Sequence, residues 1–160
     1  TADMDSILDK VRKICLNIEV FISYAHCDRD IIQPLIDVIV DKDYSVWTPE
    51  DNLQPGDLWG KQISDAIVRC AYKGFYIIVI TQESIKSSFV EKELAFASSH
   101  GAWIIPIVIG TPKLPKDIQQ WIGNYKHISV KPTKEEFTWV VDILDDVVKQ
   151  KVKKQIRDSK

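Results

Sequence analysis

The chain has 160 residues, of which 45% are hydrophobic and 28% are charged, and its formal net charge is −2. This length and composition are typical of one globular domain with a single core, and they exclude a disordered or low-complexity protein. With 21 basic and 23 acidic residues the chain has no global field that favours nucleic acid, and its dense basic cluster, KQKVKKQIR, is confined to the C-terminal end.

The sequence carries no signal for membrane insertion, secretion or metal binding. Its longest apolar run, Trp103 to Ile109, contains a proline and is far too short to cross a bilayer. Three aspartates within the first nine residues are unlike the basic start of a signal peptide. The cysteines are too widely spaced for a disulfide framework or a metal clamp: Cys15, Cys27 and Cys70. We therefore expect a cytoplasmic domain without a metal, and a first residue other than methionine suggests a segment of a longer protein.

Helical and strand patterns alternate from the N-terminus onwards. Residues 3–16 have apolar positions at helical spacing, with acids early and bases late, which indicates an amphipathic or linker helix. The run from Ile18 to Ser23, IEVFIS, is apolar and β-branched, as in a strand that is buried on both faces. Asp28 is placed to cap a helix over Arg29 to Lys42, whose apolar residues form one stripe, and a short strand follows over Tyr44 to Trp47.

The segment from Thr48 to Leu58 interrupts this alternation. It has two prolines, a glycine and three acids but no apolar periodicity, so we expect an exposed connecting loop. Ordered loops of this length are disproportionately functional. Helical spacing returns over Trp59 to Cys70, and the most apolar strand pattern, FYIIVI, covers Phe75 to Ile80 and predicts a central position in the sheet.

The C-terminal half continues in the same way. We expect a helix over residues 89–99, a buried strand over Ala102 to Ile109, a single helical turn over Gln119 to Gly123, and a last short strand over Tyr125 to Ile128. A terminal helix is predicted from Lys134 to about Lys153, because its apolar residues fall on one face.

Five strands that alternate with helices predict a doubly wound α/β domain with a parallel sheet and right-handed crossovers. In such sheets ligands bind outside the carboxyl ends of the strands, at the point where the strand order reverses. The ends in question are Ser23, Trp47 and Ile80, each of which precedes an unusual loop.

Two acids follow the central strand in the run SSFVEKELAFA, residues 87–97. Glu93 is the candidate catalytic residue, whereas Glu91 lies two positions away, points off the helix in another direction and is interpreted as a surface acid. The alternative for Glu93 is an ordinary surface acid that the helix dipole favours near the N-terminus of its helix.

Four segments in register resemble the successive motif boxes of the Toll/interleukin-1 receptor (TIR) domain. They are VFISYAHCD at 20–28, VWTPEDNLQPGDLWGKQISDAI at 46–67, ITQESIKSSFVEKELAFA at 80–97 and IIPIVIG at 104–110. The resemblance implies a TIR domain over residues 18–150, preceded by the helix within 1–17 and followed by a basic tail at 151–160. It also implies a flavodoxin-like three-layer sandwich with helices on both faces of a five-stranded parallel sheet, in the strand order 2-1-3-4-5. The FISYAH run and the tight loops look most like prokaryotic or NAD-cleaving members.

The resemblance implies two functions of different classes. Some TIR domains cleave NAD⁺, with no further cofactor, to nicotinamide and ADP-ribose or a cyclic isomer, in immune defence, antiviral defence or cell-death signalling, and they depend on self-association into oligomers or filaments. Others are scaffolds that only recruit other TIR domains. Enzymatic members carry a glutamate in the helix after the third strand, which corresponds to Glu93, and Phe89 stands where the family often has tryptophan. A flavodoxin or receiver domain is disfavoured, because no acidic pair ends the first strand and no FMN phosphate loop is visible.

The resemblance also implies the surroundings of Glu93. The substrate-binding candidates lie in the loops after the first three strands and beside Glu93: Ser23, Tyr24, Ala25, His26, Trp47, Asp51, Ser84 and Phe89. Candidates for the self-association loop are Leu53, Pro55, Gly56 and Trp59. Some departures are visible, since Ala25 and His26 stand where enzymatic relatives often have a basic residue and Pro49 stands where an acid is common. Capping by Ser84 and core packing by Trp47 remain alternatives.

A single acid suffices for the chemistry. Nicotinamide in NAD⁺ is a cationic leaving group that needs no proton, so the general acid of an ordinary glycosidase is dispensable. A carboxylate beside the ribose hydroxyls would hold the sugar and stabilise positive charge on its anomeric carbon, provided that water is partly excluded.

Overall fold

The structure is a computed structural model that describes residues 3–4, 6–7, 18–53, 59–86, 95, 99, 103–123, 125 and 127–158. Its described part contains a five-stranded parallel sheet in the order β2-β1-β3-β4-β5. The strands are β1 Glu19–Ser23, β2 Ser45–Trp47, β3 Phe75–Ile80, β4 Ile104–Ile109 and β5 Ile128–Val130. The predicted fold class and strand order are therefore confirmed.

Five helices have described ends, and they flank the sheet. They are α1 Arg29–Asp41, α2 Pro49–Asn52, α3 Trp59–Lys73, α4 Lys116–Gly123 and α5 Lys134–Asp158. Two 3₁₀ turns, His26–Asp28 and Ser84–Lys86, follow β1 and β3. No helix in the described ranges is long and apolar enough to cross a membrane.

Alternate residues of the strands face two separate cores. On the first face, Val20 and Ile22 of β1 pack with Leu35 and Ile39 of α1 and with Leu144 of α5, and all five side chains are fully buried. The amphipathic stripes of α1 and α5 thus cover one side of the sheet, as their apolar spacing predicts.

On the second face, the ring of Phe21 stacks between Trp47 and Tyr76, with ring centroids 5.0 Å apart on each side. Ile67 of α3 packs in the same cluster. The crossover from β1 to β2 therefore covers one face and the crossover from β2 to β3 covers the other. This reversal places the topological switch point between the carboxyl ends of β1 and β3.

Gly74 allows β3 to lie close to β1. A Cβ atom at this position would stand 1.7 Å from the carbonyl oxygen of Glu19, so only glycine fits between the two backbones. A residue without a side chain at the end of α3 is thus required for the pairing of the two central strands.

Several element boundaries differ from those that the sequence predicts. The loop after β2 begins with α2, because Thr48 caps that helix and Pro49 occupies its first turn. The last strand starts at Ile128, three residues later than the start expected at Tyr125, and α4 has two turns rather than one. Helix α5 runs to Asp158, into the segment that the sequence sets apart as a basic tail. Of the helix expected over 89–99, only residues 95 and 99 are described, and both are helical.

Candidate functional site

The buried polar side chains gather at one edge of the sheet. Five polar or charged residues are buried in the described part of the chain: Ser23, Asp28, Thr48, Thr81 and Ser84. Each of them ends or follows β1, β2 or β3 at its carboxyl end. Burying polar groups away from water is unfavourable unless they have hydrogen-bond partners. The concentration of buried polar side chains at this edge therefore identifies it as the candidate functional site. It is the edge at which the sequence places the ligand.

An inner network joins the ends of β1 and β3. Asp28, only 5% exposed, accepts a hydrogen bond from the hydroxyl of Thr81. The backbone N–H of Thr81 donates to Ser84 Oγ at 2.8 Å, and the backbone N–H of Ser84 donates to Thr81 Oγ1 at 3.1 Å. Ser84 Oγ donates in turn to the carbonyl of Thr81 at 3.2 Å. The turn after β3 is thereby fixed to the turn after β1.

This network corrects the expected role of Asp28. Although Asp28 precedes the first residue of α1, its side chain makes no capping hydrogen bond to the helix. The carboxylate instead bonds to Thr81, which lies 53 residues further along the chain. The negative charge still stands at the positive end of α1, where the helix dipole favours it.

Ser23 differs from the other four buried polar residues in its hydrogen bonding. It is 1% exposed, and its Oγ is the one buried side-chain nitrogen or oxygen among the described residues without a hydrogen-bond partner. Because strand side chains alternate, Ser23 lies on the same face as Phe21, above the aromatic stack of the second core. An unsatisfied buried hydroxyl at a switch point is a natural contact for a polar ligand group.

An outer cluster surrounds Arg29, the first residue of α1. Its guanidinium donates to Tyr24 Oη at 2.6 Å and to Asp51 Oδ2 at 2.9 Å, and it lies 3.6 Å from Glu50 Oε2. A further bond of 2.9 Å runs from Arg29 to the side-chain oxygen of Gln33. Arg29 thus ties the first turn of α2 to the end of β1.

Thr48 explains how two acids reach Arg29. Its side-chain oxygen accepts the backbone N–H of Asp51 at 3.2 Å, which starts α2 and places Glu50 and Asp51 in the first turn. Glu50 also pairs with the exposed His26 at 2.5 Å, so both turns that follow β1 and β2 contribute to the cluster.

At neutral pH Tyr24 is neutral and Arg29 is positively charged. Burial raises the pKa of Tyr24, and the hydrogen bond from Arg29 offsets only part of that rise, so the phenol stays neutral. Burial lowers the pKa of Arg29, but its hydrogen bonds to Asp51 and Tyr24 outweigh this effect and the pKa is raised overall. The cation of Arg29 thus lies beside two acidic side chains, Glu50 and Asp51. In the described ranges, no group of three or more His, Cys, Asp or Glu side chains is arranged to hold a metal ion.

The structure brings several sequence candidates to this edge. Ser23, Tyr24, His26 and Asp51 lie there, as does Ala25, which is 7% exposed and whose carbonyl accepts the backbone N–H of Asp28 at 2.8 Å. The hydroxyl of Ser84 is used within its own turn, which favours the structural alternative that the sequence leaves open.

Other candidates have different surroundings or lie outside the described residues. Trp47 is buried and stacks on Phe21, as the core-packing alternative expects. Leu53 is partly buried and packs against the second core. Glu93, Glu91, Phe89, Pro55 and Gly56 lie outside the described residues, as does the side chain of Trp59.

Sequence reasoning missed Arg29 and Thr81 as site residues. Arg29 looks like a surface residue of an amphipathic helix, and Thr81 looks like an ordinary strand end. The available signal was position, since Thr81 directly follows β3 and Arg29 directly follows the turn after β1, and these two strands flank the switch point.

The fold and the site together define a doubly wound α/β domain with buried polar side chains at its switch point. A family model described as "TIR domain" matches residues 20–143, which is most of the chain. The chain therefore belongs to the TIR domain family. A search of curated proteins gave no significant match.

Several solved structures are similar to this one. The TIR domain of the Toll-related receptor TRR-2 from Hydra magnipapillata is 21% identical, with a TM-score of 0.57 and coverage of 86% of this chain and 97% of that one. The CMP N-glycosidase BcmB of Clostridium botulinum is 19% identical, with a TM-score of 0.55 and coverage of 78% and 98%. The TIR domains of the activated Roq1 resistosome, which recognises the pathogen effector XopQ, are 14% identical, with a TM-score of 0.51 and coverage of 87% and 99%. At these identities the similarity establishes the fold alone.

Proposed function

We propose that this TIR domain is an NAD⁺ glycohydrolase that cleaves the bond between nicotinamide and ribose and releases ADP-ribose or a cyclic isomer. The observation that carries the proposal is at the switch point between β1 and β3, where the buried hydroxyl of Ser23 has no partner in the described part of the chain. Doubly wound folds bind nucleotide ligands at this place. A ribose has hydroxyl groups that can form a hydrogen bond with the hydroxyl of Ser23.

In the proposed reaction, Glu93 supplies the stabilising charge. The bond between the anomeric carbon and the pyridinium nitrogen breaks, and its electron pair neutralises the nitrogen of the departing nicotinamide. Positive charge then develops on the ribose, where the carboxylate of Glu93 stabilises it. Water adds to the anomeric carbon and loses a proton to complete hydrolysis, whereas attack by a nucleophile of the same molecule gives the cyclic product.

Two of the similar structures support parts of this proposal by their titles. BcmB is described as an N-glycosidase of CMP, so its fold hosts cleavage of a nucleotide N-glycosidic bond. The Roq1 structure is described as a resistosome with TIR domains, an assembled state of a kind that we propose for this chain as well. We propose a role in immune defence, antiviral defence or cell-death signalling, in which copies of the domain assemble in the cytoplasm through the loop that contains Leu53, Pro55, Gly56 and Trp59.

The test compares two glutamates that lie two positions apart. Concentrated protein, with and without a crowding agent, is incubated with NAD⁺, and free nicotinamide is measured by chromatography. Glu93→Gln should lower the rate by about 100-fold or more, as expected for the loss of a stabilising charge at the reacting centre. The matched control, Glu91→Gln, should retain the wild-type rate because that acid is assigned to the surface.

Two further substrates sharpen the same test. NADH has the same ribose and phosphates, but its dihydronicotinamide is a neutral and poor leaving group, so it should not be cleaved. CMP also has a neutral leaving base, which requires protonation by a general acid. Release of cytosine from CMP without release of nicotinamide from NAD⁺ would replace NAD⁺ as the substrate while retaining N-glycosidic cleavage.

The alternative function is a non-catalytic TIR scaffold that acts by self-association. The observation in its favour is that Arg29 is already paired with Glu50 and Asp51, so this cation of the outer cluster is occupied by protein groups. If wild type and Glu93→Gln are equally inert towards every substrate at all concentrations, the scaffold function stands and the enzymatic proposal fails.

A further inference from the structure

The hydrogen bond between Asp28 and Thr81 crosses the switch point and is buried on both sides. Asp28 is 5% exposed and Thr81 is 7% exposed. A buried carboxylate is costly to maintain unless its partners compensate for the lost hydration. Because Asp28 does not cap α1 through its side chain, helix capping does not account for an acid at this position.

The Thr81 side of the bond is held rigidly. Three hydrogen bonds join Thr81 and Ser84 in both directions, at 2.8, 3.1 and 3.2 Å. The backbone continues the turn with bonds from Ile85 to the carbonyl of Thr81 at 3.4 Å and from Lys86 to that of Glu83 at 3.1 Å. A displacement of Thr81 would therefore carry the whole turn through Lys86 with it.

This turn is the described base of the segment that contains Glu93, which lies seven residues beyond Lys86. The β1 side of the bond belongs to the turn His26–Asp28, which directly precedes α1 and follows Ser23. One hydrogen bond thus links the turn after β1, beside the buried hydroxyl of Ser23, to the turn after β3, from which the chain continues to the proposed catalytic acid.

We infer that Asp28 and Thr81 are positioning residues, whose mutual hydrogen bond holds the turn from Thr81 to Lys86 against the turn that follows the substrate-binding end of β1. The inference rests on the proposed function for its kinetic consequence. Misplacement of a catalytic group by about 1 Å can cost about 100-fold in rate without loss of substrate binding. The residues therefore affect turnover through alignment and do not contact the substrate.

The test uses substitutions that separate the hydroxyl from its volume. Thr81→Val keeps the shape of the side chain but removes both the donor to Asp28 and the acceptor of the Ser84 backbone N–H, whereas Thr81→Ser keeps both. With NAD⁺ as substrate, Thr81→Val should lower kcat by about 10–100-fold with KM nearly unchanged, and Thr81→Ser should restore most of kcat. The matched control, Thr111→Val, changes an exposed threonine just after β4 and should have no effect on kcat.

Asp28→Asn distinguishes the hydrogen bond from the charge. The amide oxygen of asparagine still accepts from Thr81, so kcat should stay close to that of wild type. A loss as large as that in Thr81→Val would assign the effect to the charge of Asp28 and overturn the inference. Equal losses in Thr81→Val and Thr81→Ser, or a change in KM alone, would also overturn it.

Hydrogen exchange provides a measurement that does not depend on turnover. In Asp28→Ala, which removes the acceptor of the Thr81 hydroxyl but leaves the bonds between Thr81 and Ser84, peptides that cover residues 82–86 should exchange faster than in wild type, whereas peptides from β4 should be unchanged. If the chain has no activity towards any nucleotide but this local increase is observed, the proposed function fails and the alignment stands. Unchanged exchange over residues 82–86 in Asp28→Ala would overturn the inference itself.

Discussion

Ser23 combines nearly complete burial with a hydroxyl that has no partner in the described part of the chain. A side chain kept for stability would make a hydrogen bond here or would be apolar, because an unsatisfied buried hydroxyl is unfavourable. Thr48 is the opposite case, since it is equally buried but its oxygen accepts the backbone N–H of Asp51. The hydroxyl of Thr48 thus stabilises the fold, whereas the hydroxyl of Ser23 is available to bind a ligand.

Ser23→Ala should therefore leave the free energy of unfolding unchanged or raise it by up to about 1 kcal/mol. Thr48→Ala should lower it by about 1 kcal/mol, the typical cost of losing a helix N-cap. Urea denaturation of both variants measures the difference. If the substrate bonds to Ser23, the stable Ser23→Ala protein should also show a raised KM for NAD⁺. A clear loss of stability in Ser23→Ala would show that the hydroxyl has a structural role.

At the scale of elements, helix α2 depends on a side chain from another helix. It has only four residues, too few for a stable helix by itself, and Arg29 of α1 bonds to Asp51 and approaches Glu50 within it. Arg69 offers a comparison, because it also binds a carboxylate, that of Glu19, at 3.0 Å, but its side chain is 47% exposed against 23% for Arg29.

Arg29→Met should lower the free energy of unfolding by about 1–3 kcal/mol, since it removes several charge-assisted hydrogen bonds and leaves two acids close together. Arg69→Met should cost less than about 1 kcal/mol, as is usual for an exposed ion pair. Chemical denaturation of the two variants under the same buffer measures both values. Equal costs would mean that the Arg29 cluster is an ordinary surface contact and does not hold α2.

The junction of α3 with β3 permits an equally direct comparison between two glycines. Gly74→Ala should lower the free energy of unfolding by about 3 kcal/mol, because its Cβ would meet the backbone of Glu19 and push the two central strands apart. Gly60→Ala should be neutral or stabilising by up to about 1 kcal/mol, since it lies within α3 and, among the described residues, no atom beyond its chain neighbours and its own helix backbone lies within 4 Å of its Cβ position. Thermal unfolding distinguishes the two, and a harmless Gly74→Ala would require a different spacing of β1 and β3.

The sequence predicts the elements whose patterns are local and strong. The bounds of β3 are as expected because FYIIVI is apolar throughout and ends at turn residues. Helix α2 was missed because its formation rests on Thr48 and on Arg29, and the second of these contacts is tertiary. The start of β5 was placed too early because its three residues carry almost no periodicity.

At the scale of the whole molecule, the strand order explains why site residues that are far apart in the sequence lie together at one edge of the sheet. Alternation of strands and helices predicts a switch point and therefore the general place of the site. The contacts within that place are not predictable from spacing, since Asp28 and Thr81 are 53 positions apart and meet only because β3 pairs with β1. Sequence reasoning thus finds the edge, whereas the partners at the edge follow from the packing of the sheet.

Assembly is the property of the whole domain that the proposed function most depends on. If copies of the domain complete one another's pockets, nicotinamide release per protomer should rise with protein concentration. Two copies joined by a flexible linker should then release nicotinamide at protein concentrations where the single chain is inactive. Linkage raises the effective concentration of one copy around the other to about the millimolar range. A linked pair with Glu93→Gln in both copies is the control and should be inactive. Activity per protomer that does not change with concentration or with linkage would mean that one chain contains the entire pocket.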